Sequence, residues 1–429
     1  MIAQTPAFVR LRQLPVGQGG FAVSEIAFSS AEAFRFIYDC GARSRSPLGE
    51  RIEEVGDQLG NHADVLFISH LDADHVDGID RLLERIRVDT VVLPYLEAVQ
   101  QAIVVVGSDS GMSGSLREIS CGPGTWLGAR GVTRVILVRS GPGADSSPSD
   151  VEGPFPFEPD AGTEIGKLTG PTGSPGVGLG TVPPTAPDHR SSPEGAEVVL
   201  LDHRGGVVLT VAGGIADWVL LPFVPSISND QNIRAFRNAL AAIVRKQAGL
   251  ATGDEWESKL GEVLRDPDCR KQIRFEYNLV GPNLGSGRHN AASMSLYSGP
   301  IRPFGAPWHV DATHSYPFGF RSADRPGWVA TGDAPLRAKS RMREWLSFYG
   351  PYLQACSCLV LPHHGSARSF NSALLTETSI DVFIAPAAES GGYQHPSPIV
   401  RKHIASHGRQ LVHVTEHAHS EWLMYARPR

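Results

Sequence analysis

Two histidines and two aspartates lie in one short segment in the first quarter of the sequence. Residues 69–78 contain His70, Asp72, Asp74 and His75. Imidazole nitrogens and carboxylate oxygens are ligands that Zn²⁺, Mn²⁺ and iron accept, and alternate positions of an extended segment can reach two neighbouring ions. A loop that only caps a helix needs one carboxylate and no histidine. The spacing therefore predicts a site for two metal ions.

The patterns around this segment predict a strand before it and a helix after it. Residues 63–68 form an apolar and partly β-branched run, and residues 79–86 carry apolar side chains at helical spacing. The metal-binding segment is therefore expected on a strand-to-helix loop. The strands that open the first sheet are predicted at residues 8–14, 22–28 and 34–39.

Three further groups of polar residues follow predicted strands in the last quarter of the sequence. Asp333 ends the first of these strands, and a carboxylate there can bridge two cations and offset their repulsion. His363 and His364 follow the next strand. Because adjacent residues of an extended segment point in opposite directions, only one of them is expected to be a ligand. His395 follows a later strand.

The order of these segments resembles that of the metallo-β-lactamase superfamily. Residues 69–78 are similar to its metal-binding loop, in the variant that has an aspartate, here Asp72, in place of the second histidine. That variant is similar to the hydrolase domain of ComEC-type DNA-uptake proteins. Residues 16–19 and 36–41 resemble the opening strands of the family, and the three later groups resemble its downstream loops.

The resemblance covers about residues 8–105 and 285–425 and implies an α/β fold, the four-layer αββα metallo-β-lactamase sandwich. Residues 1–139 and 286–429 would form its two halves. It also implies a pair of divalent metal ions, zinc or manganese. The implied metal ligands are His70, Asp72, Asp74, His75, Asp333 and His364, and the implied catalytic residues are Asp74 and His363, the latter as a donor to charge that develops on the substrate.

Three positions of the implied site are less closely defined by the sequence. Asn290 fits the spacing of ComEC-like relatives, while His289 beside it would restore a more zinc-like ligand set, since an amide oxygen favours harder ions. His395 is expected to bind substrate or to complete the metal shell. Gly365 and Ser366 open toward a following helix and are expected to present backbone N–H groups to an anionic substrate.

The middle of the chain falls outside the resemblance. Residues 140–195 are rich in glycine, proline and serine, which predicts an irregular insertion with too little apolar surface to offset its ordering entropy. Residues 196–285 predict a hairpin, with strands at 196–201 and 207–211, and then a helical cover that would shape substrate access. An amphipathic pattern over residues 229–247 predicts the main helix of this cover.

Composition and charge limit the class of protein. The 429 residues are 41% hydrophobic, which suffices for a sizeable core, and the net charge of −6 gives no basic excess for gripping long nucleic acid. The five cysteines form no disulfide framework, which suits a cytoplasmic protein. The sequence shows no signal-peptide pattern and no run of about 18 apolar residues, so no membrane segment is expected, in contrast to ComEC-type proteins.

The expected function is metal-dependent hydrolysis of a phosphodiester, in a small molecule, a nucleotide or a nucleic acid, by a hydroxide that bridges two metal ions. Such ions lower the pKa of bound water to about 7. Asp72 makes the first metal position more anionic, which favours hard ions and a phosphodiester substrate. The alternatives are a lactone, ester or thioester hydrolase of the same fold, and a non-catalytic module that binds a partner.

Overall fold

The structure is a computed structural model that describes residues 4–107, 114–141, 166–167, 176–187, 195–211, 214–226, 231–284, 290, 292–302, 307–314, 320–322, 324–390 and 392–429. Within these residues the chain forms 20 strands. The strands are β1 (Phe8–Gln13), β2 (Ala22–Phe28), β3 (Ala31–Tyr38), β4 (His62–Phe67), β5 (Arg87–Pro94), β6 (Arg134–Val138), β7 (Gly166–Lys167), β8 (Val177–Val182), β9 (Ala186–Pro187), β10 (Glu197–Leu201), β11 (Gly206–Val211), β12 (Gly214–Phe223), β13 (Ser295–Gly299), β14 (Trp308–His314), β15 (Phe320–Ser322), β16 (Gly327–Ala330), β17 (Cys356–Val360), β18 (Val382–Pro386), β19 (Gln410–Val414) and β20 (Trp422–Pro428).

The α-helices alternate with the strands along much of the chain. They are α1 (Arg45–Leu59), α2 (Ala73–Val76), α3 (Ile79–Arg85), α4 (Ala98–Gly107), α5 (Gly114–Cys121), α6 (Pro123–Gly128), α7 (Gln231–Ala248), α8 (Leu260–Arg265), α9 (Pro267–Leu284), α10 (Lys339–Leu353), α11 (Ala373–Thr376) and α12 (Pro398–Ser406). None of the helices that the structure describes is both long enough and apolar enough to span a bilayer.

The described strands form two mixed sheets. The first sheet runs β15-β14-β20-β1-β2-β3-β4-β5-β6-β10-β9, and its strands β3 to β6 and β10 are parallel. The second runs β19-β18-β17-β16-β13-β12-β11-β8-β7, and its strands β16 to β19 are parallel. Each sheet therefore has a parallel part whose carboxyl-terminal strand ends share one edge, the usual place for a binding site.

Large aromatic side chains pack the two sheets face to face. The ring of Phe36 in β3 stacks on that of Trp328 in β16, with centroids 6.1 Å apart and planes 6° from parallel. The Tyr38 hydroxyl donates a hydrogen bond of 2.7 Å to the carbonyl oxygen of Met294. Full burial of a large apolar side chain contributes about 1.5–3 kcal/mol. These contacts hold the strand ends of one sheet at a fixed distance from those of the other.

Helices cover the sheets on their other faces. Helices α1 and α3 contact β4 and β5, where Ile52 and Leu82 join the core of the first sheet. Helices α10 and α12 contact β13 and β19, where Trp345 and Ile404 join a second core. The expectation of an α/β sandwich built from two mixed sheets and helices is confirmed.

A group of four helices lies beside the sheets. Phe236 and Leu240 of α7 form an apolar cluster with Ile103 of α4, Val263 of α8 and Ile273 of α9. Helix α7 confirms the amphipathic helix predicted over residues 229–247. The cluster also includes α4 from the first part of the chain, so the helical cover is not made from residues 196–285 alone.

Two expectations for the middle of the chain are wrong. Within the stretch predicted to be irregular, β8 is a strand that pairs antiparallel with β11, and Val177 and Leu179 in it are buried. The predicted hairpin does not form, because β10 pairs parallel with β6 in the first sheet while β11 belongs to the second. The loop at residues 202–205 carries the chain from one sheet to the other.

Candidate metal centre

The polar residues of the candidate site follow the carboxyl ends of parallel strands in both sheets. In the first sheet, Asp39 follows β3 and residues 69–75 follow β4. In the second sheet, Asp333 follows β16, and residues 363–364 follow β17. Because the sheets face each other, loops from both can meet at one place.

Five side chains from these loops meet. His75 Nε2 lies 3.2 Å from Asp333 Oδ1 and 3.3 Å from His364 Nε2. His364 Nε2 lies 3.5 Å from Asp74 Oδ2, and His70 Nε2 lies 3.6 Å from Asp333 Oδ2. The side chains form two overlapping groups, and within each group the ligand atoms all lie within 4.8 Å of one another. One group is His70, His75 and Asp333, and the other is Asp74, His75 and His364. Five of the six predicted ligands thus belong to these groups, and the sixth, Asp72, lies 3.6 Å from His70 Nε2.

The atoms of this cluster fit a metal ion. All five side chains are buried, and His70 Nε2 and Asp333 Oδ1 make no hydrogen bond within the described residues. A buried polar atom without a partner costs roughly 1–3 kcal/mol. A cation would supply the missing partner, and imidazole nitrogens with carboxylate oxygens suit Zn²⁺ or Mn²⁺.

A buried chain of hydrogen bonds orients His70 and His75. Asp39 Oδ2 accepts hydrogen bonds from His75 Nδ1 at 2.8 Å and from the Ser69 hydroxyl at 2.7 Å. Ser69 Oγ in turn accepts from His70 Nδ1 at 2.9 Å. With Nδ1 as the donor in both rings, the Nε2 atoms face the cluster, which is the arrangement that metal-binding histidines require.

The backbone at His363 and His364 is not the extended segment that the sequence predicted. Both residues have left-handed conformations, with φ of 50° and 57°, in a 3₁₀ turn, Pro362–Gly365. Such a conformation costs a residue with a side chain about 1–2 kcal/mol, so the surroundings must hold it. His364 Nδ1 donates a hydrogen bond of 2.7 Å to the Pro386 carbonyl oxygen, which directs Nε2 into the cluster.

The prediction that the two adjacent histidines point in opposite directions is therefore wrong. His363 Nε2 lies 3.4 Å from Asp333 Oδ2, and His364 Nε2 lies 3.8 Å from Asp333 Oδ1. Only His364 belongs to a ligand group. His363 lies at the rim of the cluster, with 33% of its side chain exposed.

Imidazole and carboxylate groups compensate one another in the cluster. Burial and the neighbouring His75 lower the pKa of His70, but Asp333 and Asp72 outweigh them and raise it to about 9. Burial also lowers the pKa of His75, which Asp333 and Asp39 raise well above its usual value. Protons thus take the place of cations here, and an ion has to displace them in order to bind.

Asp72 and Asn290 lie beside the ligand groups. Asp72 Oδ2 is 3.6 Å from His70 Nε2. The Asn290 amide donates a hydrogen bond of 3.0 Å to Asp333 Oδ2, and its buried Oδ1 makes none within the described residues. That oxygen is an acceptor available to a cation. His289, the alternative to Asn290, lies outside the described residues.

The expectation that Gly365 and Ser366 offer N–H groups to an anion is wrong for Ser366. Its N–H donates a hydrogen bond of 2.9 Å to the His363 carbonyl oxygen, and the next helix, α11, begins only at Ala373. Gly365 has a packing reason to be glycine, because a Cβ there would approach Pro396 Cβ to 2.6 Å. The turn Pro362–Gly365 thus sets the backbone conformation of His363 and His364.

No protein-family model matches the sequence, and no curated protein matches it closely enough to count as a relative. The chemical interpretation of the cluster therefore depends on the geometry of its residues.

A pocket of about 630 Å³ opens beside the cluster, and His395 lines it. The ring centroid of His395 lies 5.8 Å from that of His363, and His395 belongs to neither ligand group. Burial lowers the pKa of His395 to about 4. Of its two expected roles, the position beside the pocket suits substrate contact better than metal binding.

Sequence reasoning did not identify Asp39 and Ser293 as site residues. Ser293 Oγ accepts a hydrogen bond of 2.8 Å from the Asp333 N–H and lies 3.5 Å from His70 Nδ1. For Asp39 a signal exists, since it is an acidic residue at the end of the strand that precedes the metal-binding one. For Ser293 the signal is its spacing to Asn290, the same spacing by which Asn290 resembles ComEC-like relatives.

Proposed function

We propose that this protein is a metal-dependent hydrolase of the metallo-β-lactamase type, similar to the ComEC hydrolase domain, and that it cleaves phosphodiester bonds. The observation that carries the proposal is the convergence of buried histidines and aspartates from loops of two different sheets. The two sheets with helices on their other faces support the four-layer αββα arrangement that the resemblance implies.

The donor set fits a pair of divalent ions, zinc or manganese. One imidazole nitrogen binds one ion, so His75 would serve only one of the two ligand groups. Asp333 presents its two oxygens to different histidines and suits a shared ligand. The proposed ligands are Asp74, His75 and His364 for one ion, His70, Asp72 and Asn290 for the other, and Asp333 for both. When bound, such ions lower the pKa of coordinated water to about 7 and polarise a phosphoryl oxygen.

The residues of the chain supply orientation and hydrogen bonding. Asp39 holds the His75 ring, so that Nε2 does not turn away from the cluster. Burial lowers the pKa of His363, which favours its neutral imidazole. We assign His363 as the donor to charge that develops on the substrate, and Asp74 as the catalytic carboxylate that orients the attacking water.

Metal content tests the first part of the proposal. Wild-type protein loaded with zinc or manganese and then dialysed is expected to retain two ions per chain, measured by mass spectrometry of the elements. Asp333→Asn is expected to retain fewer than one, because the shared ligand loses its charge. Asp268→Asn, on the exposed first turn of α9, is the control and should retain both. Equal metal content in wild type and Asp333→Asn would overturn the assignment.

Substrate class is tested with bis(4-nitrophenyl) phosphate, single-stranded DNA and a simple lactone, each with added Mn²⁺ or Zn²⁺. The proposal expects phosphodiester hydrolysis that falls at least about 100-fold in Asp74→Ala. Hydrolysis of the lactone alone would favour the ester-type alternative. A metal-loaded protein that cleaves none of the substrates would favour the binding module.

A further inference from the structure

Arg43 lies between the metal cluster and the pocket of about 630 Å³, which it lines together with Tyr393. Its Nε atom is 3.7 Å from Asp74 Oδ2, and its guanidinium carbon is 4.6 Å from the centre of the Tyr393 ring. The Arg43 side chain is 55% exposed, whereas that of Asp74 is 9% exposed. A permanent positive charge therefore borders both the cluster and the open pocket.

Backbone and aromatic contacts keep Arg43 at this place. The backbone N–H of Arg43 donates a hydrogen bond of 2.9 Å to the Gln18 carbonyl oxygen. The Tyr393 ring, over which the guanidinium lies, stacks on His395 with centroids 6.0 Å apart and planes 29° from parallel. His395 packs in turn against His363 at the rim of the cluster. A row of rings thus links the position of Arg43 to the metal cluster.

The carboxylate that Arg43 faces, that of Asp74, is also a proposed metal ligand. An ion bound to it would neutralise much of its charge. The guanidinium then keeps donors for another anion. Of the acidic residues in the pocket wall, Glu389 already faces His417, with Oε2 2.9 Å from Nε2, and Glu416 accepts the Glu389 N–H.

We propose that Arg43 selects a negatively charged phosphodiester, by donating to its non-bridging oxygens, and that Tyr393 is a positioning residue for Arg43. The inference rests on the proposed hydrolase function and specifies the charge of the substrate. A planar guanidinium matches two phosphate oxygens, whereas a neutral lactone or carboxylic ester offers it no charge. The pocket beyond Arg43, of a size usual for small-molecule sites, would hold one esterified group of the substrate.

Binding of two matched probes tests the proposal. Dimethyl phosphate carries one negative charge, and trimethyl phosphate has nearly the same shape and none. Calorimetric titration of zinc-loaded protein is expected to show that Arg43→Gln weakens dimethyl phosphate binding about tenfold, as loss of a charge-assisted pair predicts. In metal-free protein the charged Asp74 competes for Arg43, so the substitution should have a smaller effect there. Binding of trimethyl phosphate should not change.

Further variants separate charge from structure. Arg43→Lys is expected to recover part of the affinity, because it keeps the charge without the planar fork. Tyr393→Leu should lower the affinity for dimethyl phosphate about threefold, since the guanidinium loses its aromatic support. Arg81→Gln is the matched control, because Arg81 is 53% exposed, pairs with Glu53 and does not line the pocket. Thermal unfolding of each variant checks that the fold is intact.

The outcomes distinguish this inference from the proposed function. In the hydrolysis of bis(4-nitrophenyl) phosphate, Arg43→Gln should raise KM about tenfold with a smaller change in kcat. If wild type hydrolyses phosphodiesters but Arg43→Gln binds dimethyl phosphate equally well, the role of Arg43 is refuted and the function stands. If wild type hydrolyses nothing but Arg43→Gln loses dimethyl phosphate, the anion site stands and the function fails.

Discussion

Two clusters of histidine and aspartate lie at opposite ends of strand β4, and they differ in how their charges are compensated. The metal cluster follows the carboxyl end of β4. At the amino end, His62 and Asp64 of β4 lie beside Asp89 of β5, and their ligand atoms are also within 4.8 Å of one another. By residue type and spacing alone, both clusters qualify as metal sites.

The groups of the second cluster are engaged with protein partners. His62 Nε2 and Asp89 Oδ2 are hydrogen-bonded at 2.9 Å, and Arg87 Nε lies 3.3 Å from the other oxygen of Asp89. Asp64 Oδ2 accepts a hydrogen bond of 2.7 Å from the Arg35 N–H. At the first cluster, by contrast, the buried atoms His70 Nε2 and Asp333 Oδ1 both make no hydrogen bond within the described residues, whereas among the buried side-chain atoms of the second cluster this holds for Asp64 Oδ1 alone. The comparison teaches that the surroundings, more than the ligand types, distinguish the proposed metal site from an ion pair.

Removal of His75, whose ring lies within reach of both groups of ligand atoms, should have the largest effect. Zinc binds structural sites with about 10–16 kcal/mol spread over four ligands, so His75→Ala should lower zinc affinity at least about 100-fold. His62→Ala at the other end of β4 should leave the affinity unchanged. Competition with a chromophoric chelator measures both, and a similar loss in His62→Ala would show that the two clusters are equivalent.

The stability of metal-free protein should fall as pH rises. Burial lowers the pKa of His70, but Asp333 and Asp72 raise it from 6.5 to about 9 in the folded chain. The contribution of His70 to stability is therefore complete below pH 6.5 and is lost as pH rises to 9. The loss is on the order of 3 kcal/mol. Urea unfolding at several pH values measures it. His70→Gln should lower this slope and leave the part that His75 contributes, since the pKa of His75 is also raised. His62→Gln should keep the whole slope, and a slope unchanged by His70→Gln would contradict the assignment.

Loss of the carboxylate that orients His75 should have an intermediate effect. Asp39→Asn cannot accept hydrogen bonds from both His75 and Ser69 with the same strength, and zinc affinity should fall about 10–100-fold. Asp89→Asn, which removes a buried carboxylate from the other cluster, should change folding stability and leave zinc affinity unaltered. Isothermal titration with zinc compares the two variants, and equal affinities would refute the role of Asp39.

Ser293→Ala should have the smallest effect. It removes the acceptor of the Asp333 N–H, a contribution of about 0.5–1.5 kcal/mol, so zinc affinity should fall less than tenfold. Ser24→Ala is the matched control, because the Ser24 hydroxyl is also buried and donates to the Arg10 carbonyl oxygen. The same zinc titration applies, and a loss as large as that in Asp39→Asn would mean that Ser293 does more than hold a backbone.

The parts of the site that the sequence predicted are those set by local order. His70, Asp74 and His75 are close in sequence and follow a recognisable buried strand, so their proximity needs no tertiary information. The family resemblance added Asp333 and His364 from distant segments. The contacts that orient these ligands depend on which strands are neighbours, and for this reason Asp39 and Ser293 were not predicted.

Two misjudged elements show where local rules failed. The left-handed turn at residues 363–364 is held by tertiary contacts, such as the hydrogen bond to the Pro386 carbonyl, which no sequence pattern reveals. Strand β8 alternates glycine with Val177 and Leu179, which is a strand pattern. The glycine-rich composition of residues 140–195 as a whole led instead to the prediction of irregular structure. Burial against the first sheet compensates for the weak strand propensity of glycine.

His75 and His364 are separated by 289 residues of chain, and their Nε2 atoms lie 3.3 Å apart. An ion bound by both would cross-link the two sheets reversibly. Because it would bind only the folded chain, it would stabilise that chain by mass action. Metal supply would then govern how long the folded chain survives. When metal is scarce, the metal-free chain would unfold more often and be degraded first.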